Sequence, residues 1–267
     1  MKIFSKIYLL VMLCSALNFA GQLFAGCNRE CACYPFYLQF TTGGSFSMES
    51  HIKADPTQWD PAPEGYNAGL KQAALFEGAL GYRINSWLST SASWAWRGHY
   101  HYEKHQTSGS GTPFATGNKT RHFDLDNTSV MANLFIHGSG FDCLTYRVCS
   151  DCVFISPFIG AGVGLANNRL YDFHSVADIP DAAGFKRVTA NMWEKSRFSI
   201  AAQATVGLAL TVCERTNLEL GYRFYYGGTF KSNNYLTTSG TPAYVETIAW
   251  EGTLKANELF VSLAYDI

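Results

Sequence analysis

From Leu88 onward, every second residue of this chain is mostly apolar or aromatic: Leu88, Thr90, Ala92, Trp94, Trp96, Gly98, Tyr100 and Tyr102. The residues between them, Ser89, Ser91, Ser93, Ala95, Arg97, His99 and His101, are small, polar or basic. A period of two is what a pleated strand produces when its two faces meet different surroundings. The pattern recurs at 36–48, 76–84, 122–137, 154–166, 198–212, 218–226 and 259–267, giving eight runs in all. Each is near the roughly 9–11 residues that a tilted strand needs to cross a bilayer. In the run 122–137, Phe123 and Leu125 fall on the opposite parity from Val130, Ala132, Leu134 and Ile136. That predicts a β-bulge or a protruding loop end.

Two properties decide which solvent the apolar faces meet. The alternate faces are built from Ser, Gly, Ala and Thr, the small residues that fit inside a narrow closed barrel. The apolar faces end in Trp, Tyr and Phe, which favour the boundary between lipid and water. Charged residues make up only 15% of the chain, against about 25% in soluble domains. The expected fold is therefore an all-β, eight-stranded antiparallel up-and-down transmembrane β-barrel. A secreted β-sandwich or lipocalin-like barrel is the competing soluble form. The expected membrane-boundary aromatics are Trp94, Trp96, Tyr100, Tyr222, Phe224 and Tyr265.

The first residues, MKIFSKIYLLVMLCSALNFAGQLFAG, carry two lysines, a short apolar core and then small residues. This is the form of a secretory signal, with an apolar core shorter than the about 20 residues of a spanning helix. The organisation expected is a signal peptide at 1–26, a cysteine-rich periplasmic segment at 27–35 and an outer-membrane barrel at 36–267. Leu23-Phe24-Ala25-Gly26-Cys27 resembles a lipobox, which would make Cys27 a lipidation site; ordinary cleavage after Ala25 is the other reading.

Connections after alternate runs are long, at about 50–72, 105–120, 167–192 and 228–256, and rich in Gly, Pro, Asn, Asp and Thr. Those at 85–86 and 214–215 are short enough for tight hairpins. Outer-membrane barrels alternate long external loops with short periplasmic turns. On that topology both termini are periplasmic, and the segment 138–153 is an unusually long periplasmic connection. Every cysteine beyond Cys14 then falls at the periplasmic end: Cys27, Cys31, Cys33, Cys143, Cys149, Cys152 and Cys213. That compartment permits disulfides. Seven is odd, so either Cys27 is lipidated or one thiol bonds to another envelope protein. Cys149 and Cys152 form half of a zinc pattern, which the oxidising compartment disfavours.

Inward-facing polar residues are expected at Gln39, Glu77, Arg83, Arg97, His99, Asn133, Gln203, Glu219 and Arg223. Eight strands enclose only enough room for side chains. The charges are therefore read as ion pairs plugging the lumen, with a narrow pore as the alternative. His99, His101, His105 and His122 gather near one rim with Asp124 and Asp126. Hydrolase chemistry or metal binding there is weighed against an ordinary wet rim. No G-x-S-x-G or H-E-x-x-H motif is present, so no catalytic, metal or cofactor residues and no enzyme activity are expected. A net charge of −1 gives no reason to expect nucleic acid.

Ser156-Pro157-Phe158-Ile159-Gly160-Ala161-Gly162-Val163-Gly164, Gly221-Tyr222-Arg223-Phe224 and the closing run 259–267 resemble the opacity-type, outer-membrane-protein-A-like family of eight-stranded surface barrels. The chain departs from it by ending Tyr265-Asp266-Ile267, where members end in Phe or Trp, and by its cysteines, which resemble those of disulfide-linked envelope proteins. The resemblance implies a bacterial outer-membrane location and a role in adhesion, surface interaction or envelope structure. Implied partners are outer-membrane lipid, a host or surface receptor and disulfide-linked envelope proteins. A small diffusion porin is the alternative, and a lipid-modifying hydrolase a second one. Trp59, Tyr66, Tyr171 and Tyr235 are the loop aromatics available for receptor contact.

Overall fold

The computed structural model describes residues 35–48, 50, 52, 70–106, 119–149, 153–177, 182–186, 188–212, 215–238, 244–246 and 249–267. The expected signal peptide, Cys27 and nearly all of the cysteine-rich segment lie outside the described residues. Among the described residues twelve strands follow one another: β1 (Phe36–Ser47), β2 (Ala73–Arg83), β3 (Leu88–Gln106), β4 (Lys119–His137), β5 (Tyr146–Cys149), β6 (Val153–Ala177), β7 (Val188–Met192), β8 (Lys195–Val212), β9 (Thr216–Lys231), β10 (Tyr235–Thr238), β11 (Tyr244–Glu246) and β12 (Glu251–Asp266). Eight of them close a ring in which every neighbour is antiparallel: β1-β2-β3-β4-β6-β8-β9-β12 and back to β1. The fold is the eight-stranded up-and-down β-barrel.

Outward faces carry an apolar belt. On β3 it runs over 88–96, on β4 through Val130, Leu134 and Ile136, and on β6 through Ile159, Val163 and Leu165. On β12 it comprises Leu259, Val261, Leu263 and Tyr265. Nine residues rising about 3.3 Å each, tilted about 40°, make a belt roughly 20–25 Å tall, the height of a membrane barrel's apolar band.

The barrel extends well beyond that belt at one end. β3 and β4 have 19 residues each and β6 has 25. Much of what the sequence presents as loops at 105–120, 167–192 and 228–256 is therefore strand. β6 continues to Ala177, pairing with β8 as far as Leu170 and with β7 from Phe173, and β7 pairs in turn with the β10–β11 ribbon. At the opposite end, the turn between β2 and β3 spans four residues, 84–87, rather than two. Asn85 Oδ1 accepts the backbone N–H groups of Trp87 and Leu88 at 3.0 and 2.8 Å, fixing that turn. The long connection 138–153 holds two single 3-10 turns, Gly138–Gly140 and Asp142–Leu144, and then β5, which folds back on the start of β6.

β4 answers the parity question. Its inward residues keep one phase without a break, from Arg121 through Phe123, Leu125, Asn127, Ser129, Met131 and Asn133 to Phe135. No bulge sits in β4; the surroundings change instead. Below residue 127 in height, apolar residues such as Val130, Leu134 and Ile136 face out, and a mixed set, Ser129, Met131, Asn133 and Phe135, faces in. Above it, His122, Asp124 and Asp126 face out while Phe123 and Leu125 face in. The bulges lie in the strands on either side. β3 inserts one extra residue between Arg97 and Tyr100, with His99 at φ 66°, and β6 inserts one opposite 122–124, with Asp172 at φ 50°. The Asp126 carboxylate accepts the His99 backbone N–H at 2.9 Å and so caps the first bulge. Two expectations are corrected by it: His99 points outward and is exposed, and Tyr100 points inward and is fully buried.

The interior is also not uniformly small. Tyr37, Phe135, Phe158, Phe230 and Phe260 all face in. Each stands directly across a strand pair from a glycine: Gly81, Gly160, Gly207, Gly252 and Gly221 respectively. The rings lie over the glycines, so that a Cβ at Gly160 would come 2.3 Å from Phe135 Cδ1. Large and small residues thereby share each crowded layer. Gly160→Ala is expected to destabilise the refolded barrel by about 1–3 kcal/mol through overpacking. Gly78, where a Cβ meets nothing within 4 Å, serves as the control. Equal urea midpoints for Gly160→Ala and Gly78→Ala would refute the glycine–aromatic account.

Candidate functional site

Two groups of polar side chains can carry function: one inside the belt and one on the outer face of the extension. The inner group is brought together from seven strands by their inward parity. Arg97 of β3 is fully buried; its Nε donates to Glu258 Oε1 of β12 at 2.5 Å, and its Nη1 donates to Ser129 Oγ at 2.9 Å. The guanidinium lies 3.5 Å from the Tyr225 ring centroid, a cation–π contact. Ser45 donates to the same Glu258 oxygen at 2.8 Å and meets the Tyr100 hydroxyl at 2.5 Å. One layer lower, Arg223 Nη1 donates to Glu77 Oε2 at 2.5 Å and lies 3.5 Å from Glu258 Oε2. Below that, Gln39 Nε2 donates to Glu219 Oε2 at 2.7 Å. Arg83 grips Asp266 through Nε and Nη2, at 3.0 and 2.8 Å, next to the start of β1 and the end of β12. Asn133 bridges Ser91, Ser93 and Gln203.

Eight of the nine residues expected inside are thus found inside, His99 being the exception. Glu258 and Asp266 complete the ion pairs. They sit on the polar parity of the closing run, which was the available signal for them. Asn127 and Asn168 join the network by an amide–amide bond of 2.8 Å and had no distinguishing mark in sequence. Among the expected boundary aromatics, Trp94, Trp96, Tyr222, Phe224 and Tyr265 face outward and Tyr100 does not.

Above the charged layers the lumen is filled by apolar side chains. Tyr102 stacks on Phe123 at 4.5 Å, and Phe123 on Phe173 at 5.9 Å, with Trp250 edge-on to all three. These rings belong to a buried cluster that also takes in Leu125, Leu170 and Phe230. Burial pushes the Tyr102 phenol well above its ordinary range.

The outer group is set by register. β3, β4 and β6 place Glu103, His122 and His174 in one cross-strand row, and His101, Asp124 and Tyr171 in the next. Directly opposed side chains in such rows are neighbours. His101 Nδ1 meets Asp124 Oδ1 at 2.7 Å, and its Nε2 lies 3.7 Å from Glu103 Oε2. The rings of His101 and His122 are 5.8 Å apart, and those of His122 and His174 stack at 5.1 Å. His99 Nδ1 meets the Tyr171 hydroxyl at 2.8 Å. Burial, then the adjacent His174, hold the His122 imidazole below its usual range. Lys71, hydrogen-bonded to Glu103 at 3.1 Å, holds that carboxyl low. His174 escaped the sequence reading because 167–192 looked like loop; the His105 side chain lies outside the described residues.

Of the cysteines, Cys143 carries an exposed thiol with no disulfide to a described residue. It lies in the 138–153 connection at the end that holds Phe36 and Ile267, whose backbones are hydrogen-bonded to each other at 2.8 Å. Cys149 is described only in its backbone, and Cys27, Cys31, Cys33, Cys152 and Cys213 lie outside the described residues.

No family model and no curated protein matches the chain. Solved structures with similar architecture include Neisserial surface protein A, at 15% identity over 87% of this chain and 97% of that one, TM-score 0.43. The outer membrane protein OprG from Pseudomonas aeruginosa matches at 11% identity over 87% and 97%, TM-score 0.45. The outer membrane protease OmpT from Escherichia coli matches at 9% over 91% and 100%, TM-score 0.35. At such low identity and TM-score, nothing is carried over from them to this chain.

Removing one member of a buried ion pair strands the other, which costs about 3–5 kcal/mol, whereas replacing both with apolar residues of similar volume is often neutral. Glu258→Ala is therefore expected to lower barrel stability by about that amount, and Arg97→Met with Glu258→Met to recover most of it. Urea unfolding of the refolded proteins reads both; a double variant as weak as the single one would mean the pair is not the unit of stability.

Proposed function

We propose that this chain is an integral outer-membrane β-barrel with a closed lumen, acting at the surface in adhesion or in envelope structure. The observation that carries this reading is the filled cross-section. Arg97, Glu258, Tyr100 and Tyr225 are buried within the belt, and a second, aromatic core fills the barrel above it. A chain built to pass solutes has little use for either. The apolar belt, the signal-like N-terminal sequence and the low charge content support the membrane location. The extension supports the surface role: it lifts a polar rim clear of the belt, and that rim still shows partners the exposed rings of Trp193, Phe185 and Tyr235. The end holding Phe36, Ile267 and Cys143 is read as periplasmic, where the cysteines tie the barrel to itself or to envelope neighbours. Trp59 and Tyr66, also candidates for receptor contact, lie outside the described residues.

The deciding experiment is single-channel recording of the refolded protein in planar bilayers. No steady conductance is expected; a stable open channel would replace this reading with a diffusion pore. Electrophoresis of envelope fractions, with and without reductant and heating, tests the periplasmic assignment. A heat-modifiable species is expected, linked by disulfides that collapse on reduction, and recovery of the chain in a soluble fraction would sink the barrel assignment.

A further inference from the structure

The two rows of rim residues described above have the composition and geometry of a cation-binding group that the proposed function does not use. We propose that His101, Glu103 and His122 form a binding site for a divalent transition metal ion of the zinc type on the outer face of the extension. Their ligand atoms lie within 4.8 Å of one another, with His101 Nε2 and Glu103 Oε2 already at 3.7 Å. Tetrahedral zinc with bonds of about 2.0–2.2 Å places its ligand atoms about 3.4 Å apart. The gap closes by rotation of side chains that stand at the surface and need no repacking. Two imidazoles and one carboxylate suit a borderline ion such as Zn²⁺, and three protein ligands leave a fourth position for water or for His174.

Second contacts aim the donors. A carboxylate oxygen accepts hydrogen bonds, so His101 Nδ1, at 2.7 Å from Asp124 Oδ1, is the donor. That leaves the lone pair on Nε2, on the side of Glu103. A carboxylate behind a ligating imidazole is the arrangement that fixes tautomer and ring orientation at metal sites. His174 is held in the same sense: its Nδ1 donates to the Asp172 backbone carbonyl at 2.8 Å, freeing Nε2. The second bulge, at Asp172, provides this contact. The cation now against Glu103 is Lys71, with Nζ 3.1 Å from Oε2. A metal would displace that ammonium, and this separates a metal site from an ordinary surface ion pair: loss of Lys71 should strengthen binding.

The test uses the full-length protein refolded in detergent, with thiols alkylated so that cysteines do not compete, titrated with Zn²⁺ in a calorimeter at neutral pH. One equivalent is expected to bind. His122→Ala and Glu103→Gln should each weaken it at least tenfold, and Asp124→Asn by about 10- to 100-fold. Lys71→Met should tighten it. Absence of binding overturns the proposal, as does binding unchanged in the His101→Ala/His122→Ala variant. If a variant fails to show the heat-dependent gel shift of a folded barrel, Co²⁺ bound to the unaltered protein decides. Visible ligand-field bands of a nitrogen–oxygen site support the assignment, and their absence overturns it.

Discussion

In apolar surroundings a backbone N–H or C=O has no water to turn to, so each must find its partner within the chain. The ladder between β1 and β12, running from Tyr37 and Asp266 to Ser47 and Ala256, meets that demand by joining the first strand to the last. Once the ring is closed with eight strands, its interior is narrow, and the other features follow. Large inward rings need glycine across the strand pair. Charged inward residues need partners close enough to offset their dehydration, and they have them. Arg97, Arg223 and Arg83 each find a carboxylate on a different strand, so the ion pairs also couple the strands across the lumen.

The same sheet serves a second solvent higher up. At about Asn127 on β4, the two faces exchange character. Below, an apolar exterior surrounds ion pairs and glycine-matched aromatic rings; above, the molecule has the apolar interior and polar exterior of a water-soluble protein. The two bulges, at His99 and Asp172, stand next to that exchange and flank β4. Added residues there strengthen local twist and re-aim side chains, and the Asp126 carboxylate satisfies the backbone group that the first one exposes. The cluster of Tyr102, Phe123, Phe173 and Trp250 then stabilises the extension through ordinary hydrophobic burial, with no contribution from lipid.

Strand number, pairing order and the facing of most residues were legible in the sequence, because a period of two survives wherever one face is buried and the other is not. Three kinds of information were not. A single inserted residue reverses parity, and nothing about Arg97-Gly98-His99-Tyr100 announces it, so His99 and Tyr100 were placed on the wrong faces. The inward aromatics depend on which glycine stands opposite, a property of strand pairs rather than of any one strand. The change of solvent on β4 reads as a break in phase, because the apolar residues move from the outward face to the inward one partway along the strand. His174 was lost for a related reason: β6 continues through residues whose Asn and Asp content reads as loop.

Continuity between the two zones has a mechanical meaning. β3, β4 and β6 pass from the belt into the rim as single strands, with ladders paired along nearly their whole length. A pull on anything held at the rim therefore runs parallel to the strands and is shared by many ladder bonds in shear. These strands offer no hinge of the kind a separate surface domain on a flexible linker would have, and traction at the rim reaches the ring at the apolar belt directly.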